Sequence, residues 1–600
     1  MKHRLHFLGS ALAVAVMALA ACQPVTMPTA EGTGQVSVVP EVTPIPQEEA
    51  TGEATGAHSH EAGDHAHGEE AHSSEQAMTG DELILMDNLG DHHHAITTDN
   101  EMTQKYFDQG LILSYAFNHE LAVASFKEAL KYDAKCAMCY WGIAWALGPN
   151  INLPMDNAVV PDAWAALQKA QELAPNASPK EQAYITALAA RYAPEPVDDR
   201  APLDLAFADA MREVMNAYPE DLDAATIYAE ALMDTIPWNY WDEEGQPREA
   251  TIEILAALES VLERNPDHPA ANHYYIHATE ASDNPGLALA SAERLETLVP
   301  GAGHLVHMPA HTYWRVGRYQ DAYRINIQAH NADENTVGGT PDQGTFYSLA
   351  YYPHNIHFLF AAAQMLGNSS NAIDAASRLV SKIPEEAYRA VPPLEDFRPM
   401  LYYALVRFGK WDEILAEPAP TDNLQLATGM WHFARGMALL RTNELEEAQQ
   451  ALAEVQERAG RPEMAAFGLP SFATAEQILK IASGILAGEI AAAQGDYDTA
   501  VAELEAAVAI QDSLPYIEPP SWYYPVRQTL GAVLLEAGRA EDAEAVYRTD
   551  LEQYPLNGWS LYGLTQALEA QGKNEEAAAV QAQFEEAWQY ADVELTASGF

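Results

Sequence analysis

The sequence predicts an all-α solenoid, in which antiparallel helix pairs stack side by side. Two observations predict this fold. Near the C terminus a pattern of small and apolar residues returns after 34 residues, so that Ala543 matches Ala577. The same frame recurs upstream as a small residue, an alanine twelve positions later and an aromatic residue four further on, at Gly110, Ala122 and Phe126. Because one helix pair cannot bury its apolar side alone, this period indicates stacked neighbours.

Residues 1–22 are predicted to be a signal peptide. A charged start precedes an apolar run, Leu5 to Ala18, which is too short to span a membrane as a mature helix. The run ends in LAAC, which resembles the lipobox of bacterial lipoproteins and implies cleavage before Cys22 and acylation of that residue. The alternative is an ordinary secretory signal with an incidental cysteine. We therefore expect a lipid-anchored protein of the cell envelope. In a Gram-negative cell, Gln23 favours the outer membrane or its periplasmic face.

Residues 23–90 are predicted to be a disordered tether rich in histidine and acidic residues. The segment is rich in Pro, Gly, Thr, Ser and Glu and poor in large apolar residues, so it cannot bury enough surface to fold. Such a tract either captures metal ions loosely or serves only as a solvated linker. Its histidines alternate with carboxylates at His58, His60, His65, His67 and His72.

The charge of the chain excludes two classes of partner. The formal net charge is −55, and no Lys or Arg occurs between Arg4 and Lys105. Nucleic acid and anionic lipid headgroups are therefore not expected as partners. Attachment to a membrane is expected through lipid on Cys22 instead.

The folded body is predicted to contain two arrays. Residues 91–415 form an N-terminal array with a histidine-lined groove, and residues 416–600 form a C-terminal array. The frame of small residues resembles the tetratricopeptide repeat. This resemblance implies that positions two, five, nine and twelve of each first helix face a concave groove. A protein or peptide ligand is a possible occupant of that groove.

Histidines concentrate in one part of the N-terminal array. Nine of the eleven histidines after residue 100 lie between His268 and His357. The motifs HYYIH, from His273, and HMPAH, from His307, each place two imidazoles on one helix face. In the repeat frame these residues and their neighbours occupy groove positions, and the candidate metal ligands are His273, His277, Glu280, His304, His307, His311, His354, His357 and Glu230.

Three interpretations of the histidine cluster remain open. In the first, neutral imidazoles and carboxylates bind copper, zinc, iron or nickel. In the second, the histidines and aromatic residues form a polar wall that binds a partner segment or small anion. In the third, the histidines are structural. The groove is expected to pass from an aromatic end to a histidine end, with the aromatic residues Trp141, Trp145, Tyr274, Tyr313, Trp314 and Tyr352.

Cys136 and Cys139 are the two cysteines that remain after Cys22. Their spacing is typical of a redox pair or half of a soft-metal site, and the frame places them at the start of a first helix. A structural disulfide and a thiol or copper(I) site are both compatible with this position. Tyr140 stands where a c-type haem motif requires histidine, so haem is not expected.

The segments FDQGLILSYAFNH, CAMCYWGIAWALGPNIN, HYYIHATE and HMPAHTYWRVGRY resemble a group of exported bacterial tetratricopeptide proteins. The resemblance implies the fold but no reaction. No HExxH motif, nucleophile elbow or phosphate loop occurs, so no nucleotide is expected and enzyme status stays open. The leading hypothesis is an envelope-anchored repeat protein that binds a transition metal in its groove. A metal-free interaction scaffold is the second hypothesis, and a metal-dependent enzyme is the third.

Overall fold

The structure is a computed structural model. Cys22 and the tether histidines predicted above lie outside its described residues. It describes residues 78–79, 82–336, 346–384, 387–388, 391–421, 424–467 and 473–599.

The predicted all-α fold is confirmed in the described part of the chain, where antiparallel helices pair in sequence order. A two-residue hairpin, Met78–Thr79 with Glu82–Leu83, precedes the helices. Helices of the N-terminal array are α1 (Glu101–Tyr115), α2 (His119–Tyr132), α3 (Ala137–Ala146), α4 (Val160–Leu173), α5 (Pro179–Leu188), α6 (Ala201–Ala217), α7 (Leu222–Met233), α8 (Glu249–Arg264), α9 (Pro269–Thr279), α10 (Leu289–Leu298), α11 (Gly303–His307), α12 (Pro309–Arg315), α13 (Tyr319–Thr336), α14 (Tyr352–Met365), α15 (Ser369–Lys382), α16 (Met400–Arg407) and α17 (Trp411–Ala416).

The C-terminal array continues the same architecture. Its helices are α18 (Gln425–Arg441), α19 (Leu445–Ala459), α20 (Pro462–Ala465), α21 (Ala475–Ala493), α22 (Tyr497–Asp512), α23 (Val526–Glu536), α24 (Ala540–Gln553), α25 (Gly558–Ala570) and α26 (Asn574–Ala587). Short 3₁₀ turns lie at Asn157–Val159, Ala174–Asn176, Ala189–Arg191, Pro285–Ala288 and Pro392–Phe397, and one π turn lies at Tyr347–Tyr351.

The frame residues of the sequence pattern lie where helices approach most closely. Gly110 on α1 and Gly142 on α3 face the ring of Phe126 on α2, and a Cβ atom at either glycine would lie 2.6 Å from that ring. The glycines therefore let three helices close around one buried aromatic side chain. This contact explains the repeat pattern that the sequence shows.

The packed region begins before the expected tether boundary at residue 90. Leu83 and Leu89 are each 6% exposed, and the hydroxyl of Tyr106 donates to the carbonyl of Leu83 at 2.8 Å. The amide of Gly301 donates to the carbonyl of Asn88 at 2.8 Å. Two buried leucines among polar residues are enough to fix this segment on the helices.

The C-terminal array packs against the N-terminal array. Nε1 of Trp559 on α25 donates to the carbonyl of Gln364 on α14 at 2.9 Å. The backbone amide of Ser369 donates to the carboxylate of Asp592 at 2.6 Å. The described residues belong to one compact unit, so the end of the solenoid covers its middle. Among the described helices, none combines the length and the apolar composition that crossing a bilayer requires.

Candidate metal centre

Six histidines on four helices converge in the interior of the molecule. They form two sets, in each of which three ligand atoms lie within 4.8 Å of one another. The first triad is His273 and His277 on α9 with His304 on α11. The second triad is His307 on α11, His311 on α12 and His354 on α14.

Helix geometry explains how the motifs produce these sets. HYYIH places its two imidazoles four residues apart on α9. HMPAH spans the join of α11 and α12, where Pro309 lacks the amide hydrogen that a continuous helix would use. His307 and His311 nevertheless remain on one face, and their Nε2 atoms lie 3.0 Å apart.

Hydrogen bonds at Nδ1 orient the imidazoles of the first triad. His273 donates from Nδ1 to the carbonyl of Tyr115 at 2.8 Å. His277 has Nδ1 at 2.7 Å from Oε1 of Glu280. Each ring therefore presents Nε2 to the interior, and Nε2 of His273 lies 3.2 Å from Nε2 of His304.

The second triad is oriented in the same way. Nδ1 of His307 donates to Oδ1 of Asn326 at 2.7 Å. Nδ1 of His311 lies 2.6 Å from Oε2 of Glu280 and 3.2 Å from Oε2 of Glu518. Metal-ligating histidines characteristically donate their other nitrogen to a carboxylate or carbonyl, and four of the six imidazoles here do so or donate to an amide oxygen.

Burial keeps most of these imidazoles neutral. His273 and His307 are 0% exposed, and His304 is 2% exposed. Burial lowers the pKa of His273, His304 and His307 well below its ordinary value, and neighbouring imidazoles act in the same direction. Burial also lowers the pKa of His354. Neutral imidazole is the form that binds a metal ion.

Glu280 links the triads and carries a negative charge. Burial acts to raise the pKa of Glu280, but His311 and His277 lower it to about 2. Burial acts to lower the pKa of His311, but Glu280 and Glu518 raise it to about 10. An anionic carboxylate thus lies behind one ring of each triad.

Each of the two close Nε2 pairs, His273 with His304 and His307 with His311, can be bridged by a proton or by a metal ion. Two ligands about 2.0–2.1 Å from a tetrahedral ion are separated by about 3.3 Å, which is close to the two Nε2 separations given above. A proton on one nitrogen of each pair also satisfies that pair. Protons in these positions nevertheless leave Nε2 of His277 and Nδ1 of His304 buried without a hydrogen-bond partner. An ion in the first triad would provide a partner for His277.

Two predicted ligands lie elsewhere. Glu230 on α7 contacts Asp234 and Trp145 and lies near Arg191, and burial raises its pKa. His357 packs against Phe360 and Phe397 rather than against the other histidines. Neither residue belongs to a group of close metal-ligand atoms among the described residues.

The predicted aromatic lining is part of the core and does not form an open wall. Tyr313 donates to Glu296, Trp314 packs on Tyr319, and Tyr352 stacks on His330. All six residues are at most 4% exposed: Trp141, Trp145, Tyr274, Tyr313, Trp314 and Tyr352.

Cys136 and Cys139 form a disulfide at the start of α3. Cys136 is the N-cap of that helix, as the repeat frame predicts, and its Sγ accepts from the amide of Cys139 at 3.0 Å. The pair is buried and belongs to none of the metal-ligand groups among the described residues. A structural disulfide is therefore the interpretation that fits.

Sequence reasoning missed Glu518 and Asn326, which orient His311 and His307. Glu518 lies in the loop between α22 and α23, in the array that carries no histidine motif. Asn326 lies on α13, the second helix of its pair. Neither residue belongs to a motif, and only the folded path of the chain brings them to the site.

A second polar cluster surrounds Asp223 on α7. Nε2 of His92 lies 3.0 Å and Nδ1 of His94 lies 2.7 Å from the Asp223 carboxylate, and Tyr115 donates to it at 2.6 Å. His268 caps α9 by accepting from an amide at Nδ1, so its Nε2 hydrogen faces Asp223. Because donors already surround Asp223, this cluster fixes Tyr115, whose carbonyl holds His273.

One family model and several solved structures are similar to parts of this chain. A family model described as tetratricopeptide repeat matches residues 482–506 and 529–549. The search of curated proteins found no match. Solved structures with some similarity include the human IFIT1 dimer with PPP-AAAA, at 12% identity over 81% of this chain and 91% of that chain, with a TM-score of 0.32.

Two further solved structures are similar at the same level. The Naa15/Naa10 complex bound to HypK-THB is 14% identical over 81% of this chain and 70% of that chain, with a TM-score of 0.20. The Cut9–Hcn1 hetero-tetramer is 10% identical over 82% of this chain and 88% of that chain, with a TM-score of 0.27. Scores of this size support no transfer of ligand or function.

Proposed function

This chain is a tetratricopeptide-repeat protein, and from that premise we propose that it binds a transition-metal ion in the buried histidine centre. The observation that carries the proposal is the orientation of the imidazoles. In each triad two of the three Nδ1 atoms lie against oxygen acceptors, so that Nε2 atoms converge. Three imidazoles suit copper, zinc, iron and nickel, and they leave one coordination position open.

The surroundings support a cation at this position. Glu280 and Glu518 are 1% and 4% exposed, respectively, and buried carboxylates require a positive partner. Arg315, 3.9 Å from Glu518, and protonated His311, whose pKa is raised to about 10, supply positive charge here. An ion bound by the second triad would take the place of the proton on Nε2 of His311.

We also propose that the protein is anchored in the cell envelope through lipid on Cys22. The lipobox and the acidic tether support this location, on the outer membrane or its periplasmic face in a Gram-negative cell. Replacing Cys22 by Ala should release the protein from the membrane fraction and remove the acyl mass from its N terminus. An unchanged membrane fraction would contradict the anchor.

The repeat scaffold itself suggests interaction with proteins. A metal-free scaffold is the alternative function, and a metal-dependent enzyme is the third. The coordination position left open in each triad favours the enzyme, because a substrate or water could bind the ion there. Metal content separates the scaffold from the other two functions.

Elemental analysis of full-length protein purified without an affinity tag tests the metal proposal. The comparison requires a parent chain in which the five tether histidines are replaced by Ala, because these residues can bind ions independently. In that parent, His307→Ala with His311→Ala should lower the content of bound copper, zinc, iron or nickel. His93→Ala with His432→Ala is the matched control, since both residues lie outside the triads. A parent that takes up none of these ions would contradict the proposal.

A further inference from the structure

We propose that the centre is dinuclear, with one ion in each triad and a small ligand bound between the ions. The inference rests on the proposed function and specifies its stoichiometry and its ligand. Six imidazoles exceed the three or four that one ion of this kind binds. Among the described residues, no group of three close ligand atoms combines histidines of the two triads.

The two triads are nevertheless neighbours. The rings of His304 and His307 have centroids 5.9 Å apart, and those of His277 and His311 are 6.1 Å apart. His304 and His307 lie on the same short helix, so the two sets cannot move apart independently. This proximity is compatible with a two-metal site, in which the ions lie about 3.5–4 Å apart.

Glu280 connects the sets directly. Its Oε1 accepts from His277 of the first triad at 2.7 Å, and its Oε2 lies 2.6 Å from Nδ1 of His311 of the second triad. Both oxygens are therefore used to orient ligands, and one carboxylate sets the geometry of both sites.

Two aromatic rings restrict what can occupy the open positions. Phe117 has its ring 4.8 Å from that of His273 and 5.3 Å from that of His304. Phe358 lies 4.8 Å from His307 and 4.7 Å from His311. These apolar walls favour a small bound ligand, of the class of small anions and diatomic molecules.

Phe117 is held in place by strained backbone. Its φ is 56°, which is rare for a residue with a bulky side chain. Such strain is retained where it places a side chain that the site uses. Here it places the ring against His273 and His304 of the first triad.

Metal titration of the full-length parent with replaced tether histidines tests the inference. With Cu(II) as the probe, His273→Ala and His307→Ala should each lose one ion per chain relative to the parent, and the double variant should lose two. A loss of one ion by each single variant and by the double variant would show one shared ion, which overturns the dinuclear inference and leaves the proposed function intact. No loss in any variant would overturn both.

Electron paramagnetic resonance of the parent provides a measurement that does not depend on the folding of a variant. Two neighbouring Cu(II) ions should give fewer spins than copper atoms or a half-field transition, and azide should change that spectrum. A full spin count without a half-field transition would mean isolated ions and would overturn the dinuclear centre. A spectrum insensitive to azide would overturn the proposed small-ligand position.

Discussion

Oε2 of Glu518 lies 3.2 Å from Nδ1 of His311, so a residue of the C-terminal array orients a ligand candidate of the N-terminal array. Glu518 is 4% exposed and also accepts from the hydroxyl of Tyr516 at 2.6 Å. The contact makes the far end of the solenoid part of the histidine centre. Both arrays are therefore required for the complete site.

Replacing Glu280 by Gln should weaken metal binding about 10- to 100-fold, which is the usual effect of removing an outer-shell carboxylate. Glu280 lies against His277 and His311, so both triads lose its negative charge and one of them loses an oxygen neighbour. Competition with a chelator measures the affinity. Glu518→Gln should have a smaller effect, because Glu518 contacts only His311 of the second triad, whereas Glu280 lies against both triads. Equal affinity of Glu280→Gln and wild type would contradict this role.

Bound metal should raise the thermal midpoint of unfolding. An ion at about 100 times its Kd stabilises the folded state by about 2.7 kcal/mol when the unfolded chain does not bind it. The shift should appear in the parent without tether histidines and in the control His93→Ala with His432→Ala. Calorimetry of the variant His307→Ala with His311→Ala should show a smaller shift than in the parent, because only the first triad can still bind an ion. An equal shift in that variant would place the stabilising ion outside the second triad.

Gly110→Ala should destabilise the N-terminal array by about 1–3 kcal/mol, as expected for overpacking. The added methyl group would lie 2.6 Å from the ring of Phe126, which three helices enclose. Gly460→Ala is a suitable control, because its new atom would meet its nearest neighbour at 3.5 Å. The thermal midpoint should fall in the first variant and change little in the second. Equal midpoints would show that Phe126 can move aside.

Asp550→Asn should reduce the loss of stability that accompanies rising pH. Burial raises the pKa of Asp550 to about 6 in the folded protein, although hydrogen bonds from Ser560, Gln528 and Asn557 oppose the change. The folded-state pKa of Asp550 lies above its ordinary value of 3.8. The protonated carboxyl therefore stabilises the folded protein fully below pH 3.8, and this stabilisation is lost as pH rises through about 6. The difference of about two between the folded-state and ordinary pKa values of Asp550 corresponds to about 3 kcal/mol in the free energy of unfolding.

Thermal midpoints at several pH values between about 4 and 8 measure this effect. The decline with rising pH should be smaller for Asp550→Asn than for wild type, and Asp498→Asn, at an exposed position, should follow wild type. Parallel curves for wild type and Asp550→Asn would contradict the burial argument.

Cys136→Ser with Cys139→Ser should leave metal content unchanged. The disulfide closes a short loop at the start of α3, and serine at position 136 can still cap that helix. Thermal stability should decrease modestly, since a short loop gives little entropic stabilisation. Elemental analysis provides the measurement. Loss of metal from this variant would show that the cysteines take part in the centre.

The sequence predicts the repeat fold and most of the histidine centre because both depend on local periodicity. Four-residue spacing on a helix determines that His273 lies near His277 and that His307 lies near His311. Gly110 and Phe126 are recognisable because the repeat pattern itself requires their contact. Such features need only the geometry of one helix pair.

The remaining features of the histidine centre depend on the rotation between successive repeats and on which distant segments of the chain the fold brings to the centre. His354, and not His357, joins the second triad, because the rotation between α12 and α14 cannot be read from a count of positions. Glu230 is drawn into a separate cluster with Arg191 and Asp234. Glu518 reaches the centre through a contact between residues 207 positions apart, which no local pattern encodes.

Anomalous diffraction from crystals of the full-length, metal-loaded protein tests the central claim most directly. Data collected on either side of the absorption edge of the bound metal locate each ion without reference to the side chains. We predict two peaks, one within about 2.0–2.1 Å of the Nε2 atoms of each triad. Absence of a peak at both triads, in protein whose solution contains excess metal, would contradict the account.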